Sequence, residues 1–204
     1  MRDLLIATTN KGKLAEFTEL FGHDRFRVRA AAEVLVPMPV VIEDGTTFAE
    51  NARKKAHSIA RESLCLTLAD DSGLEVDALS GAPGVYSARF AGEGATDAQN
   101  REHLVARLLA LQTEAVRFPA RFRCALCLID PLAEGGATML EVDGVCEGSV
   151  ILEERGTSGF GYDVLFMPEG YNKTFGELPS DVKHTMSHRG HAMTALLAGL
   201  GSSR

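Results

Sequence analysis

Two adjacent aspartates lie within the stretch Ala69-Asp70-Asp71-Ser72-Gly73-Leu74, directly after the apolar run of residues 64–68. The apolar run predicts a buried strand, and ligands of α/β folds bind at strand ends. Neighbouring carboxylates repel each other, so a site that keeps both ionised has to supply a cation. A polar turn is the alternative, because Asp, Ser and Gly are all common in turns. Other parts of the sequence are needed to choose between a cation-binding site and a polar turn.

A lysine-containing loop near the N-terminus is a second candidate site. Residues 4–7 predict a first strand, residues 8–13 a tight polar loop, and the apolar spacing after them a helix. A loop with hydroxyl groups and lysines at a helix start suits phosphate. The Walker A pattern is absent. An ordinary helix cap with two solvated lysines is the alternative.

Charged residues also flank the next predicted helix. Thr47 and Glu50 form a capping box that predicts its start. Glu43 precedes this helix in a loop, and Lys55 lies roughly two turns inside it. On position alone, we expect Glu43 and Lys55 to be ordinary charged side chains on the solvated surface.

The third group of candidates lies in the C-terminal part of the chain. Glycines flank Phe160 in the segment 158–163, so its ring could lie open to a planar ligand; a turn with buried aromatic residues is the alternative. Residues 183–190 form a polar, basic cluster. His184 and His188 have the i, i+4 spacing of a zinc site, but no third ligand in a similar context accompanies them.

The remaining elements are predicted from apolar periodicity and turn residues. We expect irregular structure over residues 22–42, with an extended run at 34–42 that prolines interrupt. A strand or return segment is expected at 74–79, a shaped loop at 81–89, and a helix after the capping box of Thr96 and Gln99. Strands at 121–129 and 138–150 should pair in an antiparallel arrangement, and a last helix should span about 191–200.

Composition limits the function classes. The chain has 204 residues, 45% of them hydrophobic, which suits one large domain or two closely joined lobes, and no linker divides residues 1–204. Its net charge of -7 gives no general attraction to nucleic acid or anionic membranes. A polyanionic substrate therefore requires a local basic pocket or a metal ion.

Cysteine usage and the absence of a long apolar run favour a cytoplasmic protein. The four cysteines lie in apolar, strand-like contexts that predict buried, reduced thiols. Cys124 and Cys127 are three residues apart, so in a strand they point to opposite faces. This spacing favours core positions over a shared metal.

Taken together, carboxylates, lysines and a stacking aromatic describe a magnesium nucleotide site. Carboxylates hold Mg²⁺, Mg²⁺ and lysines hold the phosphates, and the aromatic ring holds the base.

Six motifs in order carry a family resemblance that covers nearly the whole chain. They are Thr8-Thr9-Asn10-x-x-Lys13, Thr47-Phe48-x-Glu50-Asn51-Ala52, Ala69-Asp70-Asp71-Ser72-Gly73-Leu74, Gly81-Ala82-Pro83-Gly84-x-Tyr86-Ser87-Ala88-Arg89, Gly159-Phe160-Gly161-Tyr162-Asp163 and Ser187-His188-Arg189. In these motifs the sequence resembles the inosine/xanthosine triphosphate pyrophosphatases, also called dITP/XTP diphosphatases.

The resemblance implies a fold and an activity. The fold is α/β, elongated and two-lobed, with a long mixed central sheet, helices around it and a central cleft, and the protein is a homodimer. The activity is Mg²⁺-dependent hydrolysis of ITP, dITP or XTP to the nucleoside monophosphate and pyrophosphate. By the same resemblance Asp71 is the general base, and Glu43, Asp70 and Asp71 hold Mg²⁺.

The resemblance also assigns the substrate contacts. Those to phosphate are Thr8, Thr9, Asn10, Lys11, Gly12, Lys13 and Lys55, with Ser72 against phosphate or sugar; those to the base are Phe160, Gly161, Tyr162, Asp163, Lys183, His188 and Arg189. Donors from the last three side chains would meet the 6-oxo group of hypoxanthine or xanthine and oppose the 6-amino group of adenine.

Two other functions remain as alternatives. Asp71-Ser72-Gly73 matches the D-[ST]-G signature of aspartic proteases, although one copy would need a symmetric dimer. A nucleotide-binding protein without catalysis is the second alternative.

Overall fold

The computed structural model describes residues 2–21, 26–133 and 138–202. Its strands form one sheet of order β2-β1-β3-β4-β5-β6. The strands are β1 (Arg2–Ile6), β2 (Phe26–Ala30), β3 (Leu66–Val76), β4 (Arg117–Ile129), β5 (Thr138–Ile151) and β6 (Phe166–Pro168). The helices are α1 (Lys11–Phe21), α2 (Phe48–Ser63), α3 (Asp97–Leu109), α4 (Ser180–Met186) and α5 (His188–Ser202), with short 3₁₀ turns at 31–33, 77–79 and 84–89.

The sheet is mixed. Strand β1 pairs in parallel with both β2 and β3, whereas β5 and β6 are antiparallel. Parallel neighbours need crossover connections, and helices α1 and α2 lie in the connections that lead from β1 to β2 and from β2 to β3. The predicted α/β class with a mixed sheet is confirmed.

Helices α2 and α3 begin where their capping residues predict. The Thr47 hydroxyl accepts a hydrogen bond from the Glu50 N–H at 3.2 Å, while the Glu50 carboxylate accepts from the Thr46 N–H at 2.7 Å. The carboxylate therefore reaches one residue further back than in a regular capping box. At α3, Thr96 and Gln99 form the complete reciprocal box.

The chain divides into two compact units, each with its own apolar core. The first unit comprises residues 1–71, 124–144 and 192–204, and the second comprises 72–123 and 145–191. Leu4, Ile6, Phe17 and Leu196 lie in the core of the first unit. Leu74, Phe122, Phe166 and Phe175 lie in the core of the second. Each core fixes the elements that carry the candidate residues of its own unit.

Several predicted elements differ from the structure. Strand β2 lies within the segment 22–42 that was expected to be irregular, and residues 34–42, expected to be extended, contain no strand. The helix at the N-terminal loop starts at Lys11, so the loop is shorter than 8–13. Residues 74–76 continue β3, and residues 77–79 form a 3₁₀ turn.

The structure shows how exposed the four cysteines are and whether any described helix could cross a membrane. Cys124, Cys127 and Cys146 are buried as predicted, but Cys65 is half-exposed because it precedes β3. All four carry thiols without disulfide bonds. Among the described residues, every helix is too short or too polar to cross a bilayer.

Candidate active site

The aspartate pair lies inside β3, not at its end. Asp70 and Asp71 are the fifth and sixth of its eleven residues and are 1% and 7% exposed. Successive strand residues point to opposite faces. The two carboxylates therefore have different partners, although the charge of Asp70 still acts to raise the pKa of Asp71. The alternative of a polar turn is wrong, and the strand also continues past residue 68, where the sequence predicted its end.

Asp70 is paired with the first helix. The Nζ atom of Lys13 lies 2.6 Å from Oδ1 of Asp70. The Sγ atom of Cys124, on β4, lies 3.5 Å from Oδ2 of the same carboxylate. Lys13 is placed by the α1 start, where its N–H donates to Oδ1 of Asn10 at 3.0 Å and the Asn10 N–H donates to the Thr8 hydroxyl. This loop thus fixes the lysine that neutralises Asp70.

Asp71 is paired with the second helix. Its Oδ1 accepts a hydrogen bond from Nζ of Lys55 at 3.0 Å, and its Oδ2 accepts from Nδ2 of Asn51 at 3.1 Å. Lys55 also donates to Oε2 of Glu43 at 2.8 Å. The helical spacing of Asn51 and Lys55 brings both side chains to one face of α2. Lys55 therefore bridges Glu43 and Asp71.

Burial and charge act against each other in this cluster. Burial raises the pKa of Asp71 above its ordinary value, although Lys55 and Lys13 act to lower it. Burial also acts to raise the pKa of Glu43, but Lys55 outweighs it, and the pKa lies below the ordinary value. Burial acts to lower the pKa of Lys55, but Asp71, Asp70 and Glu43 hold it above the ordinary value. Of Glu43 and Asp71, Asp71 is thus the carboxyl more inclined to take up a proton.

The donor chemistry of the cluster fits a hard cation. Glu43, Asp70 and Asp71 offer carboxylate oxygens, the ligands that Mg²⁺ prefers. Two lysines face these three carboxylates, so one negative charge is uncompensated when all are ionised. In the part of the chain that the structure describes, however, no three His, Cys, Asp or Glu side chains are gathered closely enough to hold a metal ion.

In the second unit, the glycine-flanked loop brings an aromatic ring next to two cations. The ring centroid of Phe160 lies 5.3 Å from Nζ of Lys183 and 5.2 Å from Cζ of Arg189. Lys183 is buried and donates to Oδ2 of Asp163 at 2.7 Å. Arg189 donates to the Ser72 hydroxyl at 2.7 Å. The structure therefore brings together five of the residues predicted to contact the base or sugar.

Two other predicted base contacts are buried in the core of the second unit. His188 is 2% exposed and stacks on Phe122, with ring centroids 4.7 Å apart. Tyr162 is also buried, and its hydroxyl donates to the Ser87 carbonyl at 2.8 Å. The protein itself thus holds the stacked His188 ring and the hydrogen-bonded Tyr162 hydroxyl, and the predicted contacts of both residues with the base stay predictions. His184 and His188 lie in different helices, α4 and α5, so their spacing is not that of one helical turn.

Asn51 is the site residue that chemistry-based sequence reasoning missed. Its Oδ1 accepts from the Gly45 N–H at 2.8 Å while its Nδ2 donates to Asp71. A Cβ atom on Gly45 would lie 2.6 Å from Oδ1 of Asn51, so only glycine allows this approach. Its residue type gave no signal, because an uncharged amide at this position in α2 resembles any other helical asparagine.

Comparison with known proteins decides the family. The model of the Ham1 family matches residues 4–199. The chain belongs to the Ham1 family. A relative from Desulfotalea psychrophila named dITP/XTP pyrophosphatase is 45% identical over 96% of this chain and 83% of its own. Another of that name, from Shouchella clausii, is 43% identical over 96% and 95%.

The fold agrees with other members of the Ham1 family. The structure of a HAM1 protein from Coxiella burnetii superimposes with a TM-score of 0.85 at 36% identity and covers all of both chains. The resemblance found in the motifs and the likeness of the folds therefore point to the same family.

Proposed function

We propose that this chain hydrolyses deaminated purine nucleoside triphosphates, namely ITP, dITP and XTP, to the nucleoside monophosphate and pyrophosphate. Its Ham1-family relatives are named dITP/XTP pyrophosphatase. The observation that carries the proposal is the buried cluster in which Lys13 and Lys55 hold Asp70, Asp71 and Glu43. Lysines of this kind can exchange a carboxylate partner for phosphate, and carboxylates can hold a metal and accept a proton.

The reaction has a simple atom balance. A water oxygen attacks the α-phosphorus, the bond from that phosphorus to the α–β bridging oxygen breaks, and pyrophosphate leaves. Asp71 accepts the water proton. Lys13 and Lys55 neutralise the charge that moves to the leaving pyrophosphate, together with backbone amides of the loop 8–13 other than those of Thr8, Asn10 and Lys13, which already donate within the protein. The N-terminus of α1 contributes its positive end to the same phosphates.

Mg²⁺ is the proposed cofactor, and Glu43, Asp70 and Asp71 would hold it, although among the described residues these side chains are not gathered around one point. When bound, it would neutralise phosphate charge and polarise the phosphoryl oxygen. The net negative charge of the carboxylates and lysines supports this assignment, because a cluster of that sign repels a triphosphate until a cation is added. Removing divalent metal with EDTA should abolish turnover, and Mg²⁺ should restore it.

The base is assigned to the second unit. Phe160 offers its ring to the purine face, while Lys183 and Arg189 offer donors to the 6-oxo group. Adenine would place an amino donor against these cations, leaving buried donors unpaired, which costs affinity strongly. Ser72, held by Arg189, is assigned to the phosphate or sugar.

One assay tests this function directly. Purified protein is given Mg²⁺ and a panel of ITP, dITP, XTP, GTP, ATP and dATP, and the products are separated. We expect nucleoside monophosphate and pyrophosphate from the first three and much slower turnover of the others. Orthophosphate as the product would contradict the attack site, and equal rates on all purines would contradict the base assignment.

The two alternatives are testable in the same preparation. Peptide hydrolysis that persists in EDTA would favour an aspartic protease using Asp71-Ser72-Gly73, which the position of these residues inside β3 does not favour. Tight binding of dITP without turnover would favour a non-catalytic nucleotide-binding protein.

We also propose one enzyme domain that functions as a homodimer in the cytoplasm. Val36, Val40 and Ile42 are 86%, 94% and 72% exposed, and apolar exposure of this extent in one segment suits a surface that a second subunit covers. Four thiols without disulfide bonds suit a reducing compartment. Sedimentation equilibrium tests the dimer, and cell fractionation tests the location.

A further inference from the structure

Both backbone groups of Gly161, in the middle of the loop assigned to the base, are held by one helix. The Gly161 N–H donates to Oδ2 of Asp97 at 2.7 Å. The Gly161 carbonyl accepts from Nη1 of Arg101 at 3.0 Å. Asp97 and Arg101 are four residues apart on α3, so their side chains leave the same face of the helix. We call these two side chains the α3 clamp.

The helix that carries the clamp is well anchored. Its start is fixed by the capping box of Thr96 and Gln99, and its apolar side is buried through Leu104 and Leu108. Arg101 is also oriented by Glu154, whose Oε1 lies 2.7 Å from its Nε atom. The guanidinium therefore meets the loop from a defined direction, with one edge on Glu154 and another on Gly161.

The rest of the loop is held by other parts of the second unit. The Tyr162 hydroxyl binds the Ser87 carbonyl, and the Asp163 carboxylate accepts from both Lys183 and the Phe160 N–H. Gly161 has φ of +59°, a conformation that glycine reaches without strain. A Cβ atom there would meet nothing within 4 Å, so the glycine is required by its backbone conformation and not by crowding.

The clamp therefore holds the backbone of Gly161, a residue that has no side chain to anchor it. Phe160 directly precedes Gly161, so rotation of the Gly161 backbone moves the ring relative to Lys183 and Arg189. A small displacement of the Phe160 ring would lower the selectivity between purine bases, because that selectivity depends on how well the donors of the site meet the acceptors of the base.

We propose that Asp97 and Arg101 are positioning residues that set the purine selectivity of this enzyme by fixing the backbone of Gly161. The inference rests on the proposed function, because it takes the loop around Phe160 as the base site. It adds two residues of α3 that touch no substrate in that proposal.

The test compares clamp variants with a matched control on the same helix. Asp97→Ala and Arg101→Ala each remove one bond to Gly161, whereas Asp97→Asn keeps an oxygen that can accept it. Glu102→Ala is the control, because Glu102 is exposed on α3. The ratio of kcat/KM for dITP to that for dATP should fall about tenfold in both alanine variants, mainly through KM for dITP. It should stay within about threefold of wild type in Asp97→Asn and Glu102→Ala.

A binding measurement separates selectivity from chemistry. Calorimetric titration with dIMP in EDTA should show weaker binding by about tenfold in the alanine variants. Wild-type selectivity and wild-type dIMP affinity in both folded alanine variants would overturn the proposal. If Asp97→Ala does not fold, Arg101→Ala and Arg101→Lys decide it, because lysine keeps one donor for the Gly161 carbonyl and should recover part of the lost selectivity.

Hydrogen exchange distinguishes failure of this inference from failure of the proposed function. The Gly161 amide should exchange faster in Asp97→Ala than in the wild type, whatever the substrate is. Inactivity of the wild type on every triphosphate, together with faster exchange in the variant, would reject the function but keep the clamp. Normal wild-type activity with unchanged exchange and selectivity in the variants would reject the clamp alone.

Discussion

Burial and ion pairing act in opposite directions on Asp71, and burial prevails. Its pKa in the folded protein is raised above the ordinary value, so its ionisation weakens the fold as pH rises through the raised pKa. The neutral form is favoured by the fold at every pH below that. This carboxyl therefore holds its negative charge at a cost to stability, as expected of a group kept for function.

Asp71→Asn should remove turnover and preserve the fold. Without a proton acceptor, kcat for dITP should fall by about 10²–10⁴-fold. Asparagine relieves the cost of a buried charge but places its amide N–H₂ group against one of the two donors, Lys55 or Asn51, so the thermal midpoint at pH 7 should change by less than about 5 °C. Steady-state kinetics and thermal unfolding of the same preparation measure both quantities. Near-full turnover would show that Asp71 is not the base.

Asn51→Ala should lower stability because it leaves a part-buried N–H group and a buried carboxylate oxygen without their partners. The Gly45 N–H loses its acceptor and Oδ2 of Asp71 loses a donor. The free energy of unfolding should fall by about 1–3 kcal/mol. Asn172→Ala, at an exposed position, is the control and should change it by less than about 0.5 kcal/mol. Equal urea midpoints for the two variants would contradict the role given to Asn51.

Site residues could be predicted from the sequence where their side chains carry a charge. Asp70, Asp71, Glu43, Lys13 and Lys55 were chosen because carboxylates and lysines suit metal and phosphate, and the structure gathers them in one unit. Their individual roles stay predictions. Asn51 has no charge, and a buried amide is indistinguishable by type from any helical asparagine. Only its distances to Asp71 and Gly45 reveal it.

At the scale of elements, β3 is the strand that carries both aspartates and a glycine under tight packing. A Cβ atom on Gly73 would lie 2.3 Å from Oγ of Ser87 and 2.5 Å from the Gly84 carbonyl oxygen. The Ser87 hydroxyl also accepts from the Leu74 N–H at 2.9 Å and donates to the Gly84 carbonyl. The 3₁₀ segment 84–89 is thus fastened to β3 at a point where only glycine fits.

Gly73→Ala should therefore destabilise the protein by about 1–3 kcal/mol, because the methyl group displaces Ser87 or Gly84. Gly201→Ala is the matched control, since a Cβ atom at Gly201 would meet nothing within 4 Å. Its effect should be within about 0.5 kcal/mol. Chemical denaturation measures both, and similar stabilities for the two variants would contradict the packing described for β3.

Prediction at the element scale succeeded where a local signal is strong. The capping box of Thr96 and Gln99 gave the start of α3, and apolar runs gave β1 and β4. Strand β2 was missed although Phe26–Ala30 alternates arginines with apolar residues, which is the usual strand pattern, because five residues give a weak signal and the pairing with β1 is a long-range contact. Residues 34–42 were expected to be extended, but apolar character alone does not supply a neighbouring strand.

At the scale of the whole molecule, two cores protect different cysteines. Cys124 lies in the core of the first unit and Cys146 in that of the second. Burial raises the pKa of the Cys146 thiol to about 12, with a smaller contribution from the charge of Glu147. Cys65 is half-exposed. Reactivity toward alkylating agents requires both exposure and thiolate, so it should report the integrity of the cores.

Iodoacetamide at pH 8 should modify Cys65 well before Cys146, by at least about tenfold in rate. After unfolding in guanidinium chloride, all four cysteines should react. Peptide mass spectrometry gives the extent at each position. Equal rates at Cys65 and Cys146 in the native protein would contradict the burial of the second core.

The proposed activity of the whole molecule follows from its family and from the paired carboxylates and lysines. The phosphorus atom that water attacks is the part of the proposed reaction that can be tested most directly. Hydrolysis of dITP in water enriched in oxygen-18 tests that position directly. Attack at the α-phosphorus, with Asp71 taking the proton, places one labelled oxygen in dIMP and none in pyrophosphate. Labelled pyrophosphate with unlabelled dIMP would mean attack at the β-phosphorus and would contradict the account.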